Sequence, residues 1–442
     1  MAEKVHLVSL GCPKNLVDSE IMLGRLSEEG IEFASDVGEA ECIIVNTCAF
    51  IEPATMESIE TILKLAHLKV HGRCKRLIVT GCLPQRYGNE IVSTLPEVDI
   101  FLGTGAFDQI VSAVNGRLEG TCYIPRPDQA EIELSGVPRI CTTPSYFAYL
   151  KIAEGCSNRC TYCIIPRLRG SYRSRPIRDV VEEASKLAGM GVRELILVAQ
   201  DTTAYGSDLN GRYTLADLLM ELARIPELIW IRVLYGHPDR ITDELLESFI
   251  SQDKICRYFD IPVQHASRSI LRRMGRSYGP NRIKDLFIRI RERVPDAVLR
   301  TTFLVGFPGE TEEDFKQLLD MIEEVRFDHL GAFAYSHASD LPSGSLNDSV
   351  PEAVKQDRLD RIMSCQSVLS KERNQRYVGE VLKVVVEGYA EETELLLQGR
   401  AWFQAPEIDG VVYINKGNAN VGDWVDVLIT EAFEYDLLGE IL

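Results

Sequence analysis

Basic residues, histidines and long apolar runs are scarce in this sequence of 442 residues. It has 48 Lys and Arg against 66 Asp and Glu, a formal net charge of −18, which argues against nucleic-acid binding over the whole surface. No apolar run approaches the roughly 20 residues of a membrane-spanning helix. The first residues lack the basic and apolar segments of a signal peptide. We therefore expect a cytoplasmic protein with no membrane partner.

Cysteine, in contrast, is abundant for a reducing compartment, with twelve residues in the chain. Without a signal peptide, a disulfide framework is the weaker explanation, and metal or redox chemistry is the stronger one. The seven histidines and the cysteine spacings do not suit a zinc finger. A hydrophobic content of 45% is ordinary for a globular protein, and the length predicts two or three domains.

Residues 1–120 alternate short apolar runs with helical patterns. Strands are predicted at 5–10, 42–45 and 77–80, and helices at 15–30, 54–68 and 89–95. This order predicts a parallel α/β sheet that is covered by helices. Residues 121–145 contain four prolines and little periodicity, which indicates a linker.

Residues 146–376 repeat the alternation of strands and helices. Strands are predicted at 147–152, 194–198, 230–234, 258–263, 298–305 and 330–335. Six such units in about 200 residues predict a partial or complete, TIM-like β/α barrel. A charged helix is predicted at 354–377, after the last strand.

Residues 377–442 change to short β-rich runs that are separated by Gly and Asn. These runs lie at 382–387, 394–398, 411–414 and 424–430, and they predict a small antiparallel β-barrel. This last domain has 13 acidic and 3 basic residues, a net charge of −10. More than half of the chain's excess negative charge therefore lies in one small domain.

A CxxxCxxC motif follows the first predicted barrel strand and is the sharpest chemical signal in the chain. Its cysteines, Cys156, Cys160 and Cys163, can bind three irons of a 4Fe–4S cluster and leave the fourth iron open for a substrate or cofactor. Structural zinc fits poorly, because no fourth ligand lies nearby in the sequence. A zinc site or a chance cluster is the alternative.

Cys12, Cys48 and Cys82 each stand at the end of a predicted strand of the first domain. The carboxyl ends of parallel strands form one edge of an open sheet, where ligands bind. We therefore expect these three cysteines to converge in space. The alternative for each is a buried cysteine that packs as a small hydrophobic residue. The other six cysteines lack such placement, and we interpret them as structural: Cys42, Cys74, Cys122, Cys141, Cys256 and Cys365.

The CxxxCxxC motif, with Glu154 and Gly155 before it and Tyr162 beside its last cysteine, resembles the signature of radical S-adenosylmethionine (SAM) enzymes. The resemblance implies that the open iron binds SAM, with Tyr162 near the adenine. It further implies that the reduced cluster cleaves SAM to methionine and a 5′-deoxyadenosyl radical. The radical abstracts hydrogen from an unactivated C–H bond, so no acid–base catalytic residue is expected.

Three segments of the first domain resemble the methylthiotransferases, a family of radical SAM enzymes: Gly11-Cys12-Pro13-Lys14-Asn15, Asn46-Thr47-Cys48 and Thr80-Gly81-Cys82. The last domain resembles their TRAM domain, an OB-like barrel, so the resemblance covers nearly the whole chain. It implies a second 4Fe–4S cluster on Cys12, Cys48 and Cys82. The open iron of this auxiliary cluster carries the sulfur to be inserted.

Pro13 and Lys14 separate two branches of this family. Members that modify an adenosine of tRNA usually have Gln-Met there. Pro-Lys, followed by Val17-Asp18-Ser19-Glu20, resembles the branch that methylthiolates the β-carbon of an aspartate in ribosomal protein S-twelve. The resemblance implies this protein, free or in the small ribosomal subunit, as the substrate, and a reductant protein as a further partner.

The net charge of −10 on the last domain agrees with this substrate, because an acidic barrel suits a basic protein better than tRNA. We expect the contacts at residues 405–410 and 431–436. A solvated acidic face that contacts nothing is the alternative.

Polar residues and glycines after later barrel strands are candidates for SAM contacts, because barrel ligands bind there. These candidates are Gln200, Asp201, Gln264 and Gly306. Gly306 is equally well explained as a turn residue. Glu310 is given no SAM contact, since its spacing from Gly306 departs from the family pattern. Five arginines beside the motif could bind the SAM carboxylate or the target aspartate: Arg159, Arg167, Arg169, Arg173 and Arg175.

Together these features predict an α/β enzyme of three domains that binds two 4Fe–4S clusters and SAM. The same chemistry on an adenosine of tRNA is the main alternative, and only this alternative requires a nucleic-acid partner. A non-catalytic electron carrier or iron–sulfur sensor is an alternative of another class. It is disfavoured, because two three-cysteine sites leave open irons that electron carriers avoid.

Overall fold

The computed structural model describes residues 4–129, 132–210, 213–391 and 393–442. Its N-terminal domain is a parallel sheet whose five strands lie side by side in chain order. The strands are β1 (Val5–Ser9), β2 (Cys42–Thr47), β3 (Arg76–Gly81), β4 (Ile100–Gly103) and β5 (Cys122–Tyr123). The helices are α1 (Pro13–Glu28), α2 (Glu52–Ala66), α3 (Leu68–His71), α4 (Cys82–Tyr87), α5 (Glu90–Thr94) and α6 (Ile110–Val114).

Both faces of this sheet are covered, as the near-continuous apolar runs of β2 and β3 require. Ile44 and Ile78 belong to the core that includes α1, whereas Ile43 and Val45 belong to the core that includes α2. The predicted parallel sheet is confirmed. The sequence did not predict β4, β5 or α4, and β5 lies inside the stretch 121–145 that was interpreted as a linker.

The segment that leads to the central domain is tied to both domains. Arg139 donates to Glu20 of α1 at 2.6 Å, to Glu183 at 2.7 Å and to the carbonyl of Tyr149 at 2.7 Å. The backbone N–H of Thr142 also donates to Glu20, at 2.6 Å. These buried, charge-assisted bonds fix the first domain against the second.

The central domain contains six parallel strands in two sheets of three, ordered β10-β9-β6 and β11-β12-β13. A parallel bridge between Ile231 and Ile255 links the first sheet to the segment that precedes the second. The six strands are β6 (Phe147–Lys151), β9 (Glu194–Val198), β10 (Trp230–Val233), β11 (Tyr258–Asp260), β12 (Val298–Val305) and β13 (His329–Ala334). Within the described ranges β13 does not pair with β6, so the predicted barrel is a partial one.

Helices cover the outside of these strands. A pair of two-residue strands encloses the cysteine loop. These strands, β7 (Ala153–Glu154) and β8 (Arg173–Ser174), pair in antiparallel fashion. The helices are α7 (Ile165–Arg169), α8 (Ile177–Gly189), α9 (Leu215–Ala223), α10 (Asp243–Ser251), α11 (Arg268–Arg273), α12 (Pro280–Arg293), α13 (Glu312–Val325) and α14 (Glu352–Asn374).

The C-terminal domain is a closed barrel of five strands in the order β14-β15-β16-β18-β17. Its strands are β14 (Val381–Ala390), β15 (Thr393–Ala401), β16 (Val412–Lys416), β17 (Trp424–Ala432) and β18 (Leu437–Ile441). Four of the five pairings are antiparallel, as predicted, but β16 pairs with β18 in parallel. The sequence did not predict β18.

This small barrel is fastened to the amino ends of the central strands. Arg400 donates to Glu194, the first residue of β9, at 2.9 Å, and Tyr258, the first residue of β11, donates to Asp409 at 2.6 Å. The acidic domain therefore lies at the end of the partial barrel opposite to the carboxyl ends of its strands.

This placement corrects part of the predicted contact stretch 405–410. Ala405 is fully buried, and the carboxylate of Asp409 is enclosed by Tyr258 and Arg300, so neither can meet a partner. Glu407 and Ile408 remain exposed. In the described part of the chain, no helix is both long and apolar enough to cross a membrane.

Candidate active site

Cys12, Cys48 and Cys82 come together at the carboxyl edge of the N-terminal sheet. Thr47, the last residue of β2, lies opposite Gly81, the last residue of β3. Cys48 and Cys82 therefore directly follow the ends of two neighbouring strands. Cys12 follows β1, which pairs with the other side of β2. The structure thus brings the three cysteines to one place, as parallel strands that end in register require.

Two glycines make room for this arrangement. Gly11, before Cys12, has a φ of +91°, and a Cβ there would lie 2.6 Å from the Cβ of Cys48. Gly81, before Cys82, has a φ of +96°, and a Cβ would lie 2.4 Å from Oδ1 of Asn46. Only glycine combines this backbone conformation with such close contacts.

The surroundings of this triad act on its thiols in opposite directions. Cys12 caps α1, a helix of 16 residues with Pro13 in its first turn, and a helix N-terminus favours negative charge. Burial raises the pKa of Cys82 to about 11, although the guanidinium of Arg169, 3.9 Å from its Sγ, acts in the opposite direction. Iron binding would therefore release a proton from the thiol of Cys82.

Cys156, Cys160 and Cys163 lie on the loop between β7 and α7. The backbone N–H of Cys156 donates to the carbonyl of Gly170 at 3.0 Å, which closes the loop at its base. Asn158, inside the motif, donates to Asp201 at 2.9 Å and accepts from Arg240 at 3.0 Å. Burial raises the pKa of Cys163 to about 12.

Among the described residues, no three His, Cys, Asp or Glu side chains are placed to hold a single metal ion. A 4Fe–4S cluster does not need such a group, because each cysteine of a triad binds a different iron. Two thiol triads, each with three donors, therefore remain compatible with clusters of this kind.

A buried ionic bridge joins the two triads. Arg169, at the end of α7, donates to Asp18 of α1 at 2.6 Å and to Asn15 at 2.9 Å. Lys151 pairs with the same Asp18 and, at 2.9 Å, with Glu154, which lies two residues before Cys156. Burial acts to raise the pKa of Glu154, but the charges of Lys151 and Arg169 lower it to about 2.

The candidates for SAM contacts lie at the carboxyl ends of the barrel strands, in different environments. Gln200 donates to Glu154 at 2.8 Å, and its buried Oε1 has no partner in the described residues. Tyr162 accepts from Arg276 at 2.7 Å. Gln264 has a φ of 72°, and its carbonyl accepts from Leu304 at 2.7 Å.

Asp201 and Gly306 are both engaged within the protein. The carboxylate of Asp201 pairs with Arg240 and accepts from Asn158, so it orients the cysteine loop. Gly306 donates its N–H to Glu310 at 2.6 Å, and Glu310 pairs with Arg358 at 2.9 Å. These contacts explain Gly306 as a turn residue and Glu310 as a buried structural acid.

Three of the five arginines beside the motif form ion pairs with acids in the described part of the chain. Arg169 belongs to the ionic bridge, Arg175 is fully buried between Asp179 and Glu183, and Arg167 contacts Asp340. Their role is to fix the loop and the domains, which differs from the expected role in anion binding.

Comparison with known proteins divides the chain in the same way. The Radical SAM superfamily matches residues 150–322, the TRAM domain matches 378–442, and a family described as "Uncharacterized protein family UPF0004" matches 4–103. A curated relative from Geobacter sulfurreducens, named "Ribosomal protein uS12 methylthiotransferase RimO", is 52% identical over 100% of this chain and 99% of its own length. A relative of the same name from Clostridioides difficile is 49% identical over 99% of both chains. The chain belongs to the RimO family of methylthiotransferases.

Solved radical SAM enzymes share the fold of this RimO-family chain. The methyltransferase TsrM from Kitasatospora setae has a TM-score of 0.59 and 17% identity, and the match covers 78% of this chain and 77% of that one. The cobalamin-dependent enzyme OxsB has a TM-score of 0.54 and 13% identity, with 83% and 56% covered. The predicted radical SAM core fold is thereby confirmed.

The structure also explains polar residues of the RimO-type motif that sequence reasoning left without a role. Asp18 joins the ionic bridge, Ser19 accepts from Asn46 at 2.9 Å, and Glu20 accepts from Arg139. The sequence signal that could have revealed these contacts is the position of the three polar residues. They lie between Val17 and Ile21, two buried apolar residues of α1.

We expect Asp18→Asn to lower the free energy of unfolding by about 3–5 kcal/mol, because it leaves Lys151 and Arg169 buried with Glu154 as their remaining acid. Asp320→Asn is the matched control, since Asp320 pairs with Lys316 on an exposed face of α13, where loss of the pair costs about 0–1 kcal/mol. Urea unfolding of the reduced, metal-free proteins, followed by circular dichroism, measures both. Equal effects of the two substitutions would contradict a structural role for the bridge.

Proposed function

We propose that this protein adds a methylthio group to the β-carbon of an aspartate in ribosomal protein uS12. It would use SAM, two 4Fe–4S clusters and electrons from a reductant protein. The observation that carries the proposal is the pair of cysteine triads, held on separate domains and joined by the bridge of Asp18, Arg169, Lys151 and Glu154. The names of the full-length relatives support the choice of substrate.

The residues present fit an iron–sulfur cluster at each triad. Cys12, Cys48 and Cys82 supply three thiols, and Gly11 has no Cβ atom that would occupy the space beside Cys48. Arg169, 3.9 Å from Cys82, offsets part of the negative charge that a thiolate-bound cluster carries. Cys156, Cys160 and Cys163 supply the thiols of the second site.

When bound, SAM and the cluster of the central domain supply a 5′-deoxyadenosyl radical, and the auxiliary cluster supplies the sulfur. The chain's own part is to place these groups and to exclude water from them. The bridge holds the first turn of α1, which begins beside Cys12, against Glu154 at the entrance to the CxxxCxxC loop. This contact sets the separation of the two sites.

Two residues are proposed to contact SAM. Gln200 presents a buried acceptor, its Oε1, that the amino group of SAM can satisfy. Tyr162, whose ring lies 6.4 Å from that of Phe307 in an edge-to-face arrangement, offers an aromatic face near the last cysteine. Gln264 and Gly306 remain proposed contacts, and Asp201 is proposed to act through Asn158.

The acidic barrel supports a basic protein as the substrate rather than tRNA, because phosphates are repelled by its net charge of −10. Since this barrel is attached at the amino ends of the central strands, a substrate that touches it and the cysteines must extend along the whole partial barrel. Glu431 and Glu434 are exposed there, although Glu434 also pairs with Lys371 at 3.1 Å.

The test is an anaerobic incubation of the reconstituted, reduced protein and SAM with three separate substrates: ribosomal proteins, small ribosomal subunits and tRNA. We expect mass spectrometry to find a methylthio group on one aspartate of uS12 and none on tRNA. Omission of the reductant is the control. A methylthio group on a tRNA adenosine and none on uS12 would replace this proposal by the tRNA alternative.

A further inference from the structure

Lys14 is a buried cation at the junction of the two cysteine triads. It lies in the first turn of α1, two residues after Cys12, and only 9% of its surface is exposed. Its Nζ lies 3.5 Å from the centre of the Tyr235 ring, on the central domain. The side chain therefore spans from the auxiliary triad to the carboxyl end of β10.

Tyr235 is itself fixed at the mouth of the partial barrel. Its backbone has a φ of 63°, its N–H donates to Asp260 at 2.8 Å, and its carbonyl accepts from Thr202 at 3.1 Å. Thr202 follows Asp201, which binds Asn158 of the CxxxCxxC loop. Lys14 thus contacts a surface that is continuous with the second triad.

The partner of Lys14 differs from those of the buried cations that belong to ion pairs in this region. Arg169 and Lys151 pair with Asp18 and Glu154, and Arg175 pairs with Asp179 and Glu183. Lys14 contacts the ring of Tyr235 instead, and its charge also interacts with Cys12. The ion pairs of the described residues include no carboxylate partner for it. A cation–π contact offsets only part of the cost of burying an ammonium group, and an incoming anion would offset more.

We propose that Lys14 binds the carboxylate of the target aspartate and so determines which side chain is modified. This inference rests on the proposed function and deepens it. The reacting β-carbon of an aspartate is one bond from its carboxylate carbon. A cation that holds the carboxylate beside Cys12 therefore places this carbon next to the auxiliary triad, where the methylthio group is delivered.

The test is a double-mutant cycle on binding, because it isolates the contact between two groups. The dissociation constant of the reconstituted protein is measured anaerobically for unmodified uS12 and for uS12 in which the modified aspartate is replaced by Asn. Lys14→Met keeps the length of the side chain and removes its charge, whereas Lys14→Arg keeps the charge. Lys64→Met is the matched control, since Lys64 is exposed on α2.

We expect Lys14→Met to weaken binding of uS12 by about 30-fold or more, as loss of one partner of a buried charge pair does. The same variant should bind the Asn form as the wild type does, and Lys14→Arg should recover most of the lost affinity. Lys64→Met should change neither constant. Iron content and the electron paramagnetic resonance spectra of the reduced clusters show whether each variant is correctly loaded.

Two results would overturn the inference. If Lys14→Met weakens binding of the Asp and Asn forms equally, its ammonium does not contact the target carboxylate. If it shifts the reduction potential of the auxiliary cluster and leaves the Asp–Asn difference intact, its charge serves the cluster instead. A failure of the proposed function is a different result, because the wild type would then neither bind nor modify uS12.

Discussion

Replacement of Cys156, Cys160 and Cys163 together by Ala should abolish the release of 5′-deoxyadenosine from SAM. It should also leave about half of the iron of the reconstituted protein, since two 4Fe–4S clusters hold about eight irons. The physical reason is that these cysteines supply every thiol of their loop, between β7 and α7. Cys12, Cys48 and Cys82 lie at the edge of a different sheet, so their thiols remain in place.

Chromatography of the reaction products and iron analysis of the anaerobically reconstituted protein measure the two effects. The matched control replaces three half-buried cysteines outside both triads, Cys122, Cys141 and Cys365, and it should retain the full iron content and SAM cleavage. Complete loss of iron in the Cys156, Cys160 and Cys163 variant would show that the two sites are not independent.

The convergence of Cys12, Cys48 and Cys82 could be predicted from the sequence because it depends on local rules. Each cysteine follows a short apolar strand, parallel strands end at one edge, and the register of Thr47 with Gly81 then places Cys48 beside Cys82. The barrel strands Glu194–Val198 and Val298–Val305 were predicted with the bounds that the structure shows, since both are rich in Val and Leu.

What the sequence did not predict depends on long-range contacts. The bond between Arg169 and Asp18 joins residues that are 151 positions apart, and no local pattern pairs them. The same holds for β5, a strand of two residues that forms only because β4 offers an edge. The arginines beside the CxxxCxxC motif were candidates for anion binding, because the acids that pair with Arg167 and Arg169, which are Asp340 and Asp18, lie far away in the sequence.

Replacement of Cys12, Cys48 and Cys82 together by Ala should separate radical formation from sulfur transfer. We expect 5′-deoxyadenosine to be released from SAM in the reduced variant, because the thiols of the CxxxCxxC loop are unchanged. No methylthiolated uS12 should form, since the variant has no thiols at the site proposed to deliver the sulfur. The iron content should again fall by about half.

The bridge of Asp18, Arg169, Lys151 and Glu154 makes this experiment demanding, because it lies against both sites. Arg169 contacts Cys82 and also pairs with Glu154 at 3.5 Å, so a collapse of the emptied auxiliary site could disturb the CxxxCxxC loop. The spectrum of the remaining reduced cluster, compared with that of the wild type, tests whether that loop is intact. With an intact spectrum, formation of methylthiolated uS12 by this variant would remove the auxiliary triad from the mechanism.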